Sequence, residues 1–326
     1  MNDLTQGQRK ELTAEQQWQQ FSELKTAQDY IESLRGRKLE VFLLGERVEE
    51  PVDHPIIRPS INAMAESYIL ADEDPQLATV WSSIAQQQIN RFLHVPESPQ
   101  DLVQKNKMQR RMGQLTGTCF QRCAGLDTLS VLFSITYDID KSHGTRYHQR
   151  YVDFLKKAQK RNLIVGAGMT DPKGDRSKRP SDQADPDLFM HVTRRTEKGL
   201  YVTGAKAHMT GGLNSHWICV MPTMNMREAD KDYAVIGMIP ATAPGLTYIY
   251  GRQSCDTRAL EVGDIDKGNA KYGGQETLVI FDDVFIPWEH VLMDGEYEFA
   301  QELVSRFTAY HRASYVCKTG LGDVSS

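Results

Sequence analysis

LIVGAGMTDPKGDR, at residues 163–176, is the stretch at which this sequence changes from helical to sheet-like patterning. Five more runs rich in β-branched and aromatic residues follow it, separated by Gly, Pro and Asp, which is typical of strands joined by turns. We therefore predict a central β domain over residues 163–295, and we interpret it as a barrel. The five runs are GLYVTGAKAHMTGG at 199–212, WICVMPT at 217–223, YAVIGMIPA at 233–241, LTYIYGR at 246–252 and ETLVIFDDVFIP at 276–287.

The region before this stretch has helical periodicity. From residue 59 to about residue 163 the apolar positions recur at steps of three and four, which predicts amphipathic helices. We therefore predict an N-terminal helical domain over residues 26–162. The repeating positions include Leu77, Val80, Trp81, Ile84, Ile89, Phe92, Leu93, Leu126, Leu129, Leu132 and Phe133.

Local signals indicate where the helical domain begins. Thr26, with Asp29 three residues later, has the pattern of a helix N-cap followed by an acidic first turn. Residues 39–44 are typical of a short strand. Residues 1–25 are rich in Gln, Glu and Lys and have few apolar positions, so we predict that they form a flexible extension, either mobile or weakly helical.

Helical periodicity returns over residues 298–315, where Phe299, Leu303, Phe307 and Tyr310 form one apolar stripe. This stripe predicts that residues 296–326 begin a third, helical domain. The order of helices, sheet and helices corresponds to an α+β fold. We expect the chain to stop inside the third domain, so that most of a C-terminal helical bundle is missing.

Composition excludes several classes of function. The 326 residues are 40% hydrophobic and 25% charged with a net charge of −5, so no basic excess favours nucleic acid or an anionic membrane as a partner. No apolar run approaches the roughly 20 residues of a membrane helix, and the polar N-terminus lacks the pattern of a signal peptide, which predicts a cytoplasmic protein. Five cysteines are a sparse, odd count for a disulfide scaffold, which leaves reduced thiols, a metal site or burial.

The sharpest local signal is the pair Cys119 and Cys123, which we expect inside a helix. A step of four residues on a helix puts both sulfurs on one face, about 6 Å apart along the axis. Such a pair suits an iron-sulfur cluster or zinc. The same spacing also arises when two small buried residues share a core face.

A second polar cluster occupies residues 310–318. On a continuous helix, His311, Tyr315 and Lys318 share a face, whereas Cys317 lies about 240° around the axis from His311. A group of this kind is also typical of ordinary amphipathic surface.

The turn at residues 169–177 offers hydroxyl and cationic side chains to a phosphate or a flavin edge, although a plain surface turn has the same composition. No Rossmann or P-loop motif occurs in the chain. The side chains of the turn are Met169, Thr170, Asp171, Lys173, Gly174, Asp175, Arg176 and Ser177.

Two further polar groups belong to the predicted sheet. Glu276 precedes a very apolar strand, where partial burial would raise its pKa and suit it to proton transfer; a solvated glutamate is the alternative. Lys206, His208 and Thr210 alternate along GAKAHMTGG and are expected on one face of a strand, either as part of a site or as the polar side of the sheet.

Taken together, several segments closely resemble the 4-hydroxybutyryl-CoA dehydratase/vinylacetyl-CoA Δ-isomerase family. The resemblance runs from about residue 26 to the end. It extends more loosely to the flavin-dependent 4-hydroxyphenylacetate 3-hydroxylases, and it implies an acyl-CoA-dehydrogenase-like fold of helical domain, central β-barrel and C-terminal helical bundle. The segments are KMQRRMGQLTGTCFQRCAG at 107–125, GMTDPKGDRS at 168–177, GAKAHMTGGLNSH at 204–216, YGRQSCDTR at 250–258, YGGQETLVIFDDVFIP at 272–287 and YHRASY at 310–315.

The resemblance also implies cofactors and residue roles. The family holds FAD and a 4Fe-4S cluster bound by three cysteines and one histidine, and it forms homotetramers that act on acyl-CoA substrates. Cys119, Cys123 and His311 match three of the cluster ligands. FAD is implied against the turn at residues 169–177 and Thr210. The implied catalytic neighbours of the substrate and cluster are Glu276, Tyr315, Lys318 and Gln121.

The chemistry implied by the resemblance is the dehydration of 4-hydroxybutyryl-CoA to crotonyl-CoA. The β-hydrogen of a 4-hydroxyacyl thioester is hardly acidic, so the acyl group is first oxidised by one electron through the flavin. An enoxy radical and then a ketyl radical follow before hydroxide leaves and the electron returns. The cluster iron bound by His311 would act as a Lewis acid on the hydroxyl, or His311 would serve as a base.

Cys317 departs from the family pattern. The step from His311 to Cys317 is six residues, whereas the family has seven, so on a continuous helix Cys317 is rotated by roughly 100° from the ligand position. A bend near Val316 would compensate, or the fourth ligand is absent. The missing bundle is expected to leave the chain by itself with little activity.

Two alternatives to the dehydratase stay open. One is a flavin-dependent aromatic hydroxylase of the 4-hydroxyphenylacetate 3-monooxygenase type, without a cluster. The other is an inactive remnant, or a partner chain that assembles with a separate C-terminal polypeptide.

Overall fold

The computed structural model describes residues 11–251 and 270–314 of the chain. Two long helices, α5 (Pro99–Thr116) and α6 (Arg122–His143), lead into the central region. The last helix of the described residues, α8 (Ala300–Ser314), packs on α6. The helices of the described residues are α1 Ala14–Trp18, α2 Ala27–Leu34, α3 Arg58–Glu73, α4 Pro75–Ala78, α5 Pro99–Thr116, α6 Arg122–His143, α7 Tyr147–Arg161 and α8 Ala300–Ser314.

The strands lie mainly in the second half of the chain, as the β-branched runs predict. Short 3-10 helices connect several of them. The strands are β1 Glu40–Leu43, β2 Glu46–Arg47, β3 Thr79–Ser82, β4 Gln87–Asn90, β5 Val165–Gly168, β6 His191–Arg195, β7 Gly199–Thr210, β8 Trp217–Val220, β9 Val235–Pro240, β10 Leu246–Tyr250, β11 Glu276–Pro287 and β12 Val291–Asp294.

These strands form a six-stranded sheet in the order β2-β1-β10-β11-β7-β6, a four-stranded sheet in the order β12-β9-β8-β5, and the hairpin β3-β4. Neighbouring strands run antiparallel except β1 with β10 and β5 with β8. The mixed helix-and-sheet fold is therefore as predicted. The predicted barrel is not confirmed, because the strands of residues 11–251 and 270–314 form separate sheets.

Several local predictions are confirmed. Thr26 caps α2, since its hydroxyl accepts a hydrogen bond from the backbone N–H of Asp29 at 3.0 Å while the Asp29 carboxylate bonds back to the Thr26 N–H. The strand expected near residues 39–44 is β1, and the helix expected from residue 298 is α8. Each of these signals comes from residues within a single turn or strand. Interactions between near neighbours in the sequence are therefore enough to form these elements.

The helical interpretation is wrong for residues 79–90, although Leu77 lies in the short helix α4 as predicted. The chain forms the β3-β4 hairpin there, with Val80 opposite Ile89 and Gln86 in the left-handed conformation at the turn, φ 57°. Apolar residues at steps of three and four arise in a tight hairpin when two short strands and a turn each contribute one or two of them. Periodicity over so few residues does not distinguish the two structures.

Residues 11–25 contain the short helix α1, as the helical alternative predicts, but they pack onto the body of the protein and are not a mobile extension. Trp18 in α1 is 1% exposed, and its ring lies against Trp217 at 4.6 Å and Phe154 at 5.0 Å between centroids. Its indole N–H donates to His290 Nε2 at 3.2 Å. Trp18 thus anchors this segment, together with the buried side chains of Phe21 and Leu24.

Replacing Trp18 with Ala should lower the free energy of unfolding by about 3 kcal/mol, the low end for a buried tryptophan because the short α1 can lift away. Chemical denaturation measures the change. Trp81→Ala is the matched control, since Trp81 is 55% exposed and its loss should change stability by less than about 0.5 kcal/mol. Equal losses of stability in the two variants would contradict the conclusion that residues 11–25 pack onto the protein.

α6 lies against the four-stranded sheet at the centre of the molecule. Gly125 makes the close approach possible, because a Cβ atom at this position would lie 1.9 Å from the Val165 carbonyl oxygen of β5. The approach holds the start of α6 against the sheet, next to the segment that precedes β11. Among residues 11–251 and 270–314, no helix combines the length and apolar character that crossing a bilayer requires.

Candidate active site

Cys119 and Cys123 lie at the junction between helices α5 and α6. Gly117, left-handed with φ 60°, ends α5, and α6 begins only at Arg122. The prediction that both cysteines lie within one helix is therefore wrong, because Cys119 is in the loop and Cys123 in the first turn. Gln121, also left-handed with φ 67°, turns the chain so that the two cysteine side chains still reach hydrogen-bonding contact.

The surroundings of Cys119 lower the pKa of its thiol. The main cause is the hydrogen bond with the Cys123 side chain; the backbone N–H of Gln121 and the charge of His311 act in the same direction. Partial desolvation and the charge of Glu276 oppose them. Contacts place these groups close together. A Cβ atom at Gly274, two residues before Glu276, would lie 3.6 Å from Cys119 Cβ, and Asp127, one turn after Cys123 on α6, bonds His311. A thiolate is the form that binds iron.

A 4Fe-4S cluster would take cysteine and histidine side chains as its ligands. Within residues 11–251 and 270–314, no three His, Cys, Asp or Glu side chains converge closely enough to hold one metal ion. A cluster of four irons takes one protein ligand on each iron, so its ligands lie farther apart than those of an ion. Two thiols and an imidazole that share one region, Cys119, Cys123 and His311, fit that chemistry.

The Gln121 side chain joins the cysteine loop to its neighbours. Its amide nitrogen donates to the carbonyl oxygens of Ser60 at 3.0 Å and Gly273 at 3.1 Å, and its oxygen accepts from Asn214 Nδ2 at 3.1 Å. The residue is 1% exposed. These contacts support a positioning role for Gln121, because they hold the Cys119 loop against the segment that precedes β11.

Glu276 begins β11 and lies opposite Thr210, the last residue of β7. The Thr210 hydroxyl donates to Glu276 Oε1 at 2.7 Å. Burial raises the pKa of Glu276 to about 7, and the Thr210 hydrogen bond opposes only part of that rise. The raised pKa expected from partial burial is confirmed. A carboxyl group with this pKa can accept and release a proton near neutral pH.

Replacing Thr210 with Val should move the pKa of Glu276 further upward, because the hydroxyl that stabilises the carboxylate is removed while the burial remains. Any step that needs ionised Glu276 should then begin at a higher pH than in the unaltered protein. Infrared titration of the carboxyl band against pH measures the shift. Thr308→Val is the control, since that hydroxyl bonds only to a carbonyl within α8; an unmoved Glu276 band in T210V would contradict the pairing.

His311 lies on α8, and the buried carboxylate of Asp127 contacts one side of its imidazole ring. Its Nδ1 lies 2.9 Å from Asp127 Oδ2, and its ring stacks on Phe307 with centroids 5.3 Å apart. Asp127, on α6, also forms an ion pair with Lys105 of α5. Sequence reasoning missed Asp127 and Lys105, because they are 22 residues apart on different helices and no local pattern marks them as partners.

The turn at residues 169–177 is mostly exposed, but not all of its side chains are available to a ligand. Asp171 accepts hydrogen bonds from Lys206 Nζ at 2.6 Å and from the Thr223 hydroxyl at 2.6 Å. Asp175 is bonded within the turn by Ser177. Asp171 therefore secures the turn. The exposed side chains of the turn are Thr170, Lys173, Asp175, Arg176 and Ser177.

A β-bulge in β7 changes which residues share a face. Between the pairs Lys206–Val279 and Met209–Thr277, β7 contains one residue more than β11, and His208 is left-handed with φ 48°. A bulge shifts the alternation of side chains by one. Lys206 is buried, as is Met209 beyond the bulge. The prediction that Lys206, His208 and Thr210 lie on one face is therefore wrong.

Three predicted site residues, Tyr315, Cys317 and Lys318, lie outside the described residues. The same holds for most of the segment at 250–258 that contributes to the resemblance. The structure brings together Cys119, Cys123, Glu276, Thr210 and His311.

The model of the family described as 4-hydroxyphenylacetate 3-hydroxylase N terminal matches residues 26–293. The chain belongs to this family. The chain is also 53% identical over 306 residues to the 4-hydroxybutyryl-CoA dehydratase/vinylacetyl-CoA-Delta-isomerase of Clostridium aminobutyricum, a match that covers 92% of this chain and 62% of that protein. The resemblance seen in the sequence motifs is thereby confirmed.

Two solved structures extend the comparison with the 4-hydroxyphenylacetate 3-hydroxylase family. An oxygen-tolerant 4-hydroxybutyryl-CoA dehydratase from N. maritimus has a TM-score of 0.89 at 64% identity, over 92% of this chain and 60% of that chain. The FAD complex of the oxygenase component of 4-hydroxyphenylacetate 3-monooxygenase has a TM-score of 0.74 at 22% identity, over 92% and 62% of the two chains, and it shows a shared fold alone. The chain spans about three-fifths of the length of these relatives.

Proposed function

We propose that this protein carries the flavin- and cluster-binding residues of a 4-hydroxybutyryl-CoA dehydratase. The reaction removes water from 4-hydroxybutyryl-CoA to give crotonyl-CoA, with isomerisation of vinylacetyl-CoA as a second activity. The observation that carries the proposal is the placement of the thiol pair Cys119 and Cys123 against the segment before Glu276 and one helical turn from the contact of Asp127 with His311. The similarity to dehydratases in sequence and in structure supports it.

Glu276 is the proposed acid-base group. Both reactions require protons to leave the acyl chain, one at C2 in the isomerisation and one each at C2 and C3 in the dehydration, and both require a proton to be added at C4 to form the methyl group of crotonyl-CoA. Near neutral pH a carboxyl group with a pKa of about 7 is present in both forms, so it can take the proton and give it back. The Thr210 hydroxyl holds Oε1 and so fixes the direction in which the carboxylate meets the substrate.

FAD is the proposed flavin, because a family relative binds it. The exposed side chains Thr170, Lys173, Arg176 and Ser177 are suited to its phosphate and ring edges, while Asp171 and Lys206 hold the turn in place. When bound, the flavin supplies one-electron exchange with the acyl group, and the cluster supplies Lewis acidity toward the leaving hydroxyl.

Cys119, Cys123 and His311 are the proposed ligands of a 4Fe-4S cluster, with Cys317 as the fourth. Gln121 positions the loop that bears Cys119. Tyr315 and Lys318 are proposed to contact the substrate, which is an acyl-CoA thioester. The complete protein is proposed to be a homotetramer.

An aromatic hydroxylase that uses reduced flavin and oxygen is the second candidate, and the family match at residues 26–293 favours it. The two candidates differ in their need for iron. A hydroxylase of this type has no use for two thiols and an imidazole in one region, whereas the dehydratase needs them as ligands. We therefore prefer the dehydratase.

Anaerobic purification followed by assays of iron, acid-labile sulfide and flavin tests the proposal. We expect iron and sulfide in the protein, their loss in Cys119→Ala and Cys123→Ala, and their retention in Cys219→Ala. Cys219 is the matched control because it is buried in β8. Formation of crotonyl-CoA from 4-hydroxybutyryl-CoA without oxygen would support the dehydratase. Absence of sulfide, together with oxygen-dependent hydroxylation of a phenol, would support the hydroxylase.

A further inference from the structure

Asp127 joins three helices at the back of His311. Its side chain is fully buried, and its carboxylate oxygens bind Lys105 of α5 and two residues of α8, the Ser314 hydroxyl at 2.6 Å and His311 Nδ1 at 2.9 Å. Lys105 is itself 2% exposed and also reaches the backbone carbonyl of Tyr310 at 3.4 Å. A buried carboxylate with this many partners is a fixed point against which α8 is oriented.

The chemistry of Asp127 determines which nitrogen of His311 carries the proton. A carboxylate only accepts hydrogen bonds, so the ring nitrogen that faces Asp127 has to donate. Nδ1 is therefore protonated, and in the neutral imidazole the lone pair lies on Nε2. The stacking of the ring on Phe307, with 17° between the planes, limits rotation about the side chain.

His311 lies near the thiols, because Cys123 and Asp127 are one turn apart on α6 and Asp127 bonds His311 Nδ1 at 2.9 Å. Histidines that bind metals almost always donate their second N–H to a carboxylate or a carbonyl, and this outer contact sets both the tautomer and the basicity of the ligand. Asp127 has that relation to His311, and the mechanism proposed above does not use it.

We propose that Asp127, charge-paired with Lys105, is a positioning residue that keeps His311 protonated on Nδ1 and so presents Nε2 as the iron ligand beside Cys119 and Cys123. This inference rests on the proposed function for the identity of the iron centre. The orientation of His311 itself depends only on α5, α6 and α8.

The tautomer of His311 can be tested before any cluster is assembled. In anaerobically purified, cluster-free protein with isotopically labelled histidine, the nitrogen resonances of His311 are identified among the nine histidines by their loss in His311→Gln. We expect the Nδ1–H tautomer in the unaltered protein and a mixture of the two tautomers in Asp127→Asn, because an amide can accept from the ring nitrogen or donate to it, whereas a carboxylate can only accept. An Nε2–H tautomer in the unaltered protein, or an unchanged spectrum in D127N, would overturn the proposal.

Iron retention provides the second measurement. After cluster assembly, iron release to a chelator should be roughly 10- to 100-fold faster in D127N than in the unaltered protein, the usual effect of losing such an outer contact. Asp230→Asn is the matched control, since Asp230 is also fully buried and accepts a serine hydroxyl at 2.6 Å, from Ser181. Equal iron release from D127N and D230N would mean that Asp127 serves only packing.

D127N leaves the Lys105 ammonium group buried without its partner and is at risk of failing to fold. The double variant Lys105→Met with Asp127→Asn removes both charges, and it should show the same tautomer change and the same faster iron release. If the unaltered protein takes up no iron or sulfide, the proposed function fails. The tautomer measurement then still decides whether Asp127 orients His311.

Discussion

Replacing Glu276 with Gln is expected to lower turnover by roughly 10²- to 10⁴-fold, the usual contribution of a positioned acid-base group. The amide keeps the shape of the side chain and can still accept the hydrogen bond from Thr210, but it cannot take a proton. Steady-state formation of crotonyl-CoA by the complete enzyme measures the loss. Glu296→Gln is the matched control, because this half-buried carboxylate also accepts a hydroxyl, from Tyr147 at 3.1 Å, and should leave turnover unchanged.

The pH dependence distinguishes a proton-transfer role from a structural one. Burial raises the pKa of Glu276 from 4.5 to about 7, so activity that needs the carboxylate should rise with pH through about 7. For stability the sign is the reverse. The contribution of Glu276 is fully present below pH 4.5 and is lost as pH rises through about 7, since the folded protein favours the protonated form.

E276Q should therefore unfold at a higher temperature than the unaltered protein at pH 8, and at nearly the same temperature at pH 4. Calorimetry at the two pH values measures the difference. Equal stability at both pH values would mean that the carboxyl group is solvated rather than buried. Loss of activity without this gain in stability would point to a disturbed fold.

Replacing Lys206 with Met is expected to lower the free energy of unfolding by roughly 3–5 kcal/mol, because it leaves the buried carboxylate of Asp171 without its counter-charge. Lys206 is 2% exposed and also donates to the carbonyl oxygens of Met169 at 3.1 Å and Met221 at 2.8 Å. These bonds hold the start of the turn at residues 169–177. K206M should therefore also release flavin more readily, which gel filtration followed by flavin absorbance measures.

Two comparisons isolate the ion pair of Lys206 and Asp171. Adding Asp171→Asn to K206M should restore part of the lost stability, because no unpaired buried charge then remains. Lys198→Met is the matched control, since the Lys198 side chain is 75% exposed in its contact with Glu11, and its loss should change stability by less than about 0.5 kcal/mol. A loss in K198M as large as in K206M would contradict the argument from burial.

Features that depend on neighbours in sequence were predictable. The cap formed by Thr26 and Asp29 spans a single turn, and the strands from β7 to β11 follow runs of β-branched residues whose pattern repeats over several positions. In each case the responsible chemistry lies within a few residues.

Features that depend on a shift of one residue, in the start of a helix or in the register of a strand, were not predictable. Gln121 takes the left-handed conformation and starts α6 after Cys119, so the cysteine pair straddles the start of a helix. A single extra residue near His208 separates Lys206 from Thr210. The hairpin of residues 79–90 was not predicted, because apolar steps of three and four are compatible with both a helix and a hairpin over so short a length.

By itself the sequence determined the helix and strand content of most segments, the family, and the residue types of the site, because propensity, capping and motif chemistry act locally. Only the tertiary structure decided that Trp18 anchors residues 11–25, that Asp127 lies behind His311, and that Lys206 secures Asp171. These contacts join residues far apart in the chain. Their energy comes from burial and charge pairing, which exist only once the helices and sheets have packed together.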